Sequence, residues 1–265
     1  MTDARHERKN RRVTPSGSAT DPARGSSPRI LLLINNALAN LIAVTLRHGS
    51  YETMRATSEA ECVRILRDWR PDIALVDIDE QTSLLSLLGG GIAQGRIPIL
   101  AFTRRRDTAV KLRAYEQGAD DVVEVPFTLD EIVARPYALL RRARGVAPAP
   151  LVPKIRLADG QIEVDLLEQT VKVSGERPLE LTPLQQTLLY ILAANAGEVL
   201  TREGLLASIW GSTFQIESNV VDRHIRELRV KLGDDWRSPR YIETVPGRGY
   251  RFKEKASELR REAAS

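Results

Sequence analysis

The chain has 265 residues, 42% hydrophobic, 28% charged and 5% aromatic, with a formal net charge of +4. At ~150 residues per domain, that length suggests two domains. The richest apolar run, Ile30–Ile34, falls far short of the ~18 residues a membrane helix needs. The opening MTDARHERKNRR has no apolar signal core, so a cytoplasmic location is expected. A single cysteine, Cys62, excludes an internal disulfide framework. With three dispersed histidines (His6, His48, His224), neither a structural metal nor a cofactor is expected.

The charge is unevenly placed. Residues 1–29 carry seven basic side chains against three acidic ones, which is the whole excess. Residues 1–28 are rich in Arg, Ser, Gly and Pro and poor in large apolar residues, so they read as a disordered basic tail. Such a tail is a solvated extension or, alternatively, adds weak phosphate affinity.

A regular alternation begins at Arg29. Apolar, β-rich runs at Ile30–Ile34, Asp72–Val76, Ile97–Phe102 and Asp121–Val125, with a weaker one near Thr53–Ala56, are separated by helical segments. Ser58…Glu61 and Thr128…Glu131 have capping-box spacing, and Gly49 and Gly118 stand where helices should stop. Continuous apolar strands between helices predict a parallel sheet covered on both faces, over residues 29–144. Folds of this class bind at the carboxyl ends of their strands, here Asn35, Asn36, Asp77, Thr103 and Val125.

Residues 145–154, GVAPAPLVPK, read as a linker. Beyond it, residues 155–181 alternate polar and apolar between turn signals, as in a small antiparallel sheet. Three helices follow, opened by Thr182-Pro183-Leu184-Gln185, by Thr201 and by Ser218. In the third, Val221, Ile225, Leu228 and Leu232 form the inward stripe. A hairpin over Tyr241–Phe252 turns at Pro246–Gly249, and residues 254–265 form a tail. Three helices and a hairpin, over 155–253, outline a winged helix-turn-helix.

Residues 223–253 hold nine basic side chains against four acidic ones. On the third helix Arg223, Arg226 and Arg229 avoid the apolar stripe and are expected to point outward. Such an array suits phosphates flanking a major groove, and a guanidinium can read guanine. The alternative is a solvated basic face. Arg248, between two glycines at the hairpin tip, suits a narrow minor groove.

These features together resemble the OmpR/PhoB-type response regulators: a receiver of flavodoxin-like, doubly wound α/β fold, a linker and a winged-helix effector. The motifs that carry the resemblance are PDIALVD, PILAFT and GADDVVEVPFTLDEIVAR in the first domain. In the second they are LTPLQQTLLYILAANAGEVLTREGLLASIW, NVVDRHIRELRVKLGD and YIETVPGRGYRF. The resemblance implies double-stranded DNA, RNA polymerase and a second copy of the chain as partners. It places Asn219, Arg223 and Glu227 nearest base edges and His224, Arg226, Arg229 and Thr244 on phosphates. Across the dimer it implies pairing of Lys111 with Glu131, Asp121 with Arg135 and Asp120 with Arg142. Glu227 stands where a basic residue is more common, so a different operator is expected.

The first domain departs from that pattern where its chemistry should lie. Asp77 matches the phosphate-accepting aspartate and Thr103 the hydroxyl residue. Asn35 and Asn36 replace an acidic pair, Val125 replaces a lysine, and Val122 replaces the aromatic switch residue. Mg²⁺ favours carboxylate oxygens, and phosphoryl transfer needs that metal and a cation. The expectation is therefore a receiver that regulates without phosphorylation, with Asp77 an ordinary polar residue. Arg104–Arg106 read as a solvated loop, the alternative being an arginine that pairs with Asp77 and imitates a phosphorylated geometry. Pro136 should kink or shorten the fifth helix.

Two other readings remain open: conventional phosphorylation at Asp77, or control of the receiver by a small ligand or protein partner. An enzyme is not expected, since no nucleophile–base pair or metal cluster is visible. Gly89–Gly91 lacks the lysine of a phosphate-binding loop.

Overall fold

The computed structural model describes residues 27–253, apart from 90–95, 145–153, 167, 169 and 212–218. Nearly all of the basic tail and the linker, the Ser218 cap and the last twelve residues therefore lie outside the described residues.

The first domain alternates β1 (Arg29–Leu33), α1 (Leu38–His48), β2 (Glu52–Arg55), α2 (Glu59–Asp68), β3 (Ile73–Asp77) and α3 (Thr82–Gly89). It continues with β4 (Ile99–Thr103), α4 (Thr108–Glu116), β5 (Asp121–Glu124) and α5 (Leu129–Arg144). The strands form one parallel sheet in the order β2-β1-β3-β4-β5. β3 and β4 are buried at every position because helices cover both faces, as their unbroken apolar runs require. The Ser58 hydroxyl accepts from Glu61 N, but the Glu61 carboxylate bonds Thr57, so the expected box is only half formed. Asp107 caps α4 by accepting from Ala109 N, a start that the sequence reading did not identify.

Pro136 does not shorten its helix: α5 runs continuously from Leu129 to Arg144. Leu139 and Leu140 beyond the proline enter the same core as Ile132 and Val133 before it, so packing supports both halves.

The second domain opens with an antiparallel sheet of β6 (Lys154–Leu157), β7 (Ile162–Asp165) and β8 (Thr170–Val173). Then come α6 (Pro183–Ala194), β9 (Val199–Thr201), α7 (Arg202–Trp210), α8 (Val220–Leu232), β10 (Ile242–Val245) and β11 (Gly249–Phe252). Thr182 and Gln185 form a complete capping box, and Thr201 caps α7 through Gly204 N. The cap position of α8 is Asn219, with no side-chain cap bond. The short β9, which the sequence reading did not identify, completes the sheet β10-β11-β9. Its approach to β11 is so close that a Cβ on Gly249 would lie 2.1 Å from Leu200 O, so glycine is required there.

The domains share a seam. Leu38, Leu41 and Ile42 of α1 belong to one apolar cluster with Leu188, Ile191 and Leu192 of α6. Asn40 Nδ2 donates to Asn195 Oδ1 at 2.6 Å, and Asn195 Nδ2 donates to Ala37 O at 3.1 Å. Arg156 N donates to His48 Nε2 at 3.2 Å. Burial raises the Tyr190 hydroxyl well above its ordinary range, with Asp130 of the receiver adding to it. Among the described residues no helix is long and apolar enough to cross a membrane.

Candidate receiver pocket and nucleic-acid interface

The carboxyl ends of β1, β3 and β4 bring Asn36, Asp77 and Thr103 together, but the group that fills the space is Arg104. Its side chain and that of Asp77 are each 1% exposed. Nη1 donates to Asp77 Oδ1 at 2.8 Å and Nη2 to Oδ2 at 2.6 Å, a bidentate fork. The expectation of a solvated loop is thus wrong for Arg104, and the alternative pairing is the one formed. A buried carboxylate and guanidinium each incur a desolvation cost that their pairing offsets, so each requires the other. Burial works against the Arg104 charge, but hydrogen bonding and attraction from Asp77, then Glu80 and Asp79, raise it above its ordinary range.

The surrounding loops lock the pair in place. Asn36 Nδ2 donates to Asp77 Oδ2 at 3.0 Å, while its Oδ1 accepts from Leu38 N at 3.0 Å. Thr103 donates its hydroxyl to Asp79 Oδ1 at 2.9 Å, and Arg104 N donates to Asp79 Oδ2 at 2.7 Å. Sequence reasoning missed Asp79 as the clamp between the two loops. Asn35 is exposed, whereas Val125 and Val122 are buried in the core.

These residues do not fit the Mg²⁺ that phosphoryl transfer requires. A dication needs oxygen ligands. Here both Asp77 oxygens accept from a guanidinium, Asn36 turns an N–H toward Asp77, and a fixed positive charge occupies the site.

On the effector, the exposed face of α8 carries Asn219, Arg223, Arg226 and Glu227, with half-buried His224 beside them. The side chains of Arg223, Arg226 and the hairpin-tip Arg248 are exposed and form no hydrogen bond or ion pair with the described residues. Glu227 Oε2 accepts from Gln185 Nε2 at 3.1 Å and lies 3.4 Å from His224 Nδ1. Arg229 does not point outward as expected. Its Nε and Nη2 donate to Ile242 O at 3.2 and 2.7 Å, and Nη2 also reaches Thr244 Oγ1 at 2.9 Å. An i-spacing rule sees only the helix, whereas these acceptors come from β10.

A second network ties the hairpin to the helices. Tyr250 donates its hydroxyl to Asp222 Oδ1 at 2.5 Å, and Arg202 Nε donates to the same oxygen at 2.7 Å. Arg202 and Arg229 lie 5.0 and 5.8 Å from the Tyr250 ring centroid. Burial and then the Asp222 bond push the Tyr250 hydroxyl up to about 12. Asp234, just past the left-handed Gly233 cap, accepts from the backbone N–H groups of Arg240, Tyr241 and Ile242.

The face expected to carry the dimer shows its charges paired within one chain. Lys111 contacts Glu124, and Arg135 bridges Asp121 at 2.9 Å and Glu131 at 2.7 Å. Asp120 accepts from Arg96 at 2.9 Å, and Arg142 is exposed.

Residues 175–252 match the family model described as "Transcriptional regulatory protein, C terminal". The chain is 32% identical over 229 residues to the DNA-binding response regulator MtrA of Mycolicibacterium smegmatis, covering 84% of this chain and 96% of that protein. It is also 32% identical over 213 residues to the transcriptional regulatory protein KdpE of Mycobacterium tuberculosis, covering 80% and 92%. A solved structure, the Klebsiella pneumoniae RstA DNA-binding domain in complex with RstA box, is 31% identical at a TM-score of 0.34. That match covers 38% of this chain and 98% of that one. By its near full-length similarity to these regulators, the chain belongs to the OmpR/PhoB family of DNA-binding response regulators.

Proposed function

We propose that this protein regulates transcription from the cytoplasm without phosphorylation of Asp77, binding its operator as a homodimer and acting on RNA polymerase. The observation that carries this reading is the occupied pocket: both Asp77 oxygens already accept from a buried guanidinium. Phosphorylation would require displacing Arg104 into water and assembling a metal site from neutral amides. Incubation with acetyl phosphate and Mg²⁺ should add no phosphoryl mass and leave operator affinity within about twofold. A stoichiometric phosphoprotein that binds about tenfold more tightly, a coupling of ~1.4 kcal/mol, would restore conventional control.

On DNA, α8 enters the major groove with Asn219, Arg223 and Glu227 at base edges. The Glu227 carboxylate, held by Gln185, favours a cytosine amino group, and Arg223 a guanine. His224, Arg226, Arg229 and Thr244 meet phosphates, the last two from positions fixed by β10. Arg248 reaches the minor groove, so its replacement should cost most at A·T-rich flanks. Lys111, Asp120, Asp121, Glu131 and Arg135 exchange their internal partners for those of the second copy, and the exposed Arg142 joins them across the dimer. Reversing Asp121 should weaken self-association, and reversing Arg135 as well should restore part of it. A protein that sediments as a monomer at high concentration, free and on DNA, would refute the dimer.

A further inference from the structure

Arg104 has a third directed donor, and it leaves the receiver. While the fork closes on Asp77, Nε on the other edge donates at 2.9 Å to the backbone carbonyl of Ser208. Ser208 is itself buried, in the last turn of α7. Carbonyls there lack helical partners and form the negative end of the helix dipole, so a cation is the matched ligand. Gly211 ends α7 beside the same side chain: a Cβ built on it would lie 3.5 Å from Arg104 Cδ. The guanidinium is planar, so the Asp77 fork also sets the direction in which Nε points.

We propose that Arg104 is a positioning residue for the effector domain, tying the end of α7 to the receiver through Asp77. The phosphoacceptor position then serves as an anchor for the DNA-binding helices. The inference rests on the reading that Asp77 is not phosphorylated. The seam at α1 holds the domains along one side of the receiver. The Asn40–Asn195 bond fixes α1 against α6, and the Arg104–Ser208 bond fixes the β4–α4 loop against α7. Two separated attachments set an orientation, and α7 immediately precedes the recognition helix.

Hydrogen exchange on the full chain tests this with two variants. Arg104→Lys keeps a charge opposite Asp77 but cannot form the fork and reach Ser208 together. Asp77→Leu combined with Arg104→Met removes the pair without stranding a buried charge, so it keeps the receiver folded. In both, amide exchange over residues 205–211 should accelerate at least tenfold, and small-angle scattering should show a more extended chain. A purely local ion pair would change exchange only around residues 77–80 and 103–107. Wild-type exchange at α7 in either variant, with native circular dichroism, overturns the proposal. Phosphoryl mass after acetyl phosphate treatment is a separate readout, so failure of the parent reading is distinguishable from failure of the tie.

Discussion

Arg104 and Arg223 are the same side chain put to opposite uses. Arg104 is buried with donors on both edges committed, to Asp77 and to Ser208. The side chain of Arg223, on the exposed face of α8, bonds to none of the described residues. In a low-dielectric interior a paired charge is held strongly and an unpaired one is costly, whereas an exposed charge is screened and free to meet another partner. Arg229 stands between them, half-buried, with two of its nitrogens committed to β10. The number of internal partners thus separates the arginines that build this protein from those left to bind with.

The largest effect should come from breaking the buried pair on one side. Asp77→Ala strands Arg104 and should cost ~3–5 kcal/mol, read as a lower denaturation midpoint. A loss no larger than that of an exposed pair would break the contrast. Arg229→Ala removes bonds from a charged donor and should cost ~1.5–3 kcal/mol of stability while weakening binding to all DNA sequences alike. Arg223→Ala should leave stability unchanged and cost ~1–3 kcal/mol of operator binding, with preference relaxed at one base. Equal losses on operator and random DNA would show that it contacts phosphate only. The smallest effect concerns Tyr250, whose hydroxyl is raised from 10.0 to about 12 in the folded chain. The unfolded chain loses that proton first, so the stability Tyr250 adds is full below pH 10 and declines as pH rises toward 12. Tyr250→Phe should flatten that decline.

The five parallel strands and the three effector helices were legible because each rests on local signals. Unbroken apolar runs mark β3 and β4, and Thr182 with Gln185 marks α6. What escaped depends on partners distant in sequence. Arg104 to Arg106 is a polar triplet with nothing nearby to bury it, and the partner of Arg104 on α7 lies 104 residues away. The direction of Arg229 is set by carbonyl and hydroxyl groups 13 and 15 residues further on. Among the candidate site residues, the substitutions at Asn36 and Val125 were visible as types. That Asp79, not Asp77, takes the Thr103 hydroxyl was not, because the two acids stand only two residues apart at the end of β3.

The apolar cluster that runs from α1 into α6 bears on how the chain comes apart. Domains joined only by a linker melt separately, but two that share a packed interior lose it together. A calorimetric scan should show a single endotherm, with van't Hoff and calorimetric enthalpies in agreement. The winged-helix half cut out at the linker would then carry the flank of α6 that packs on α1 bare into water. Such a fragment should aggregate unless α6 is resurfaced.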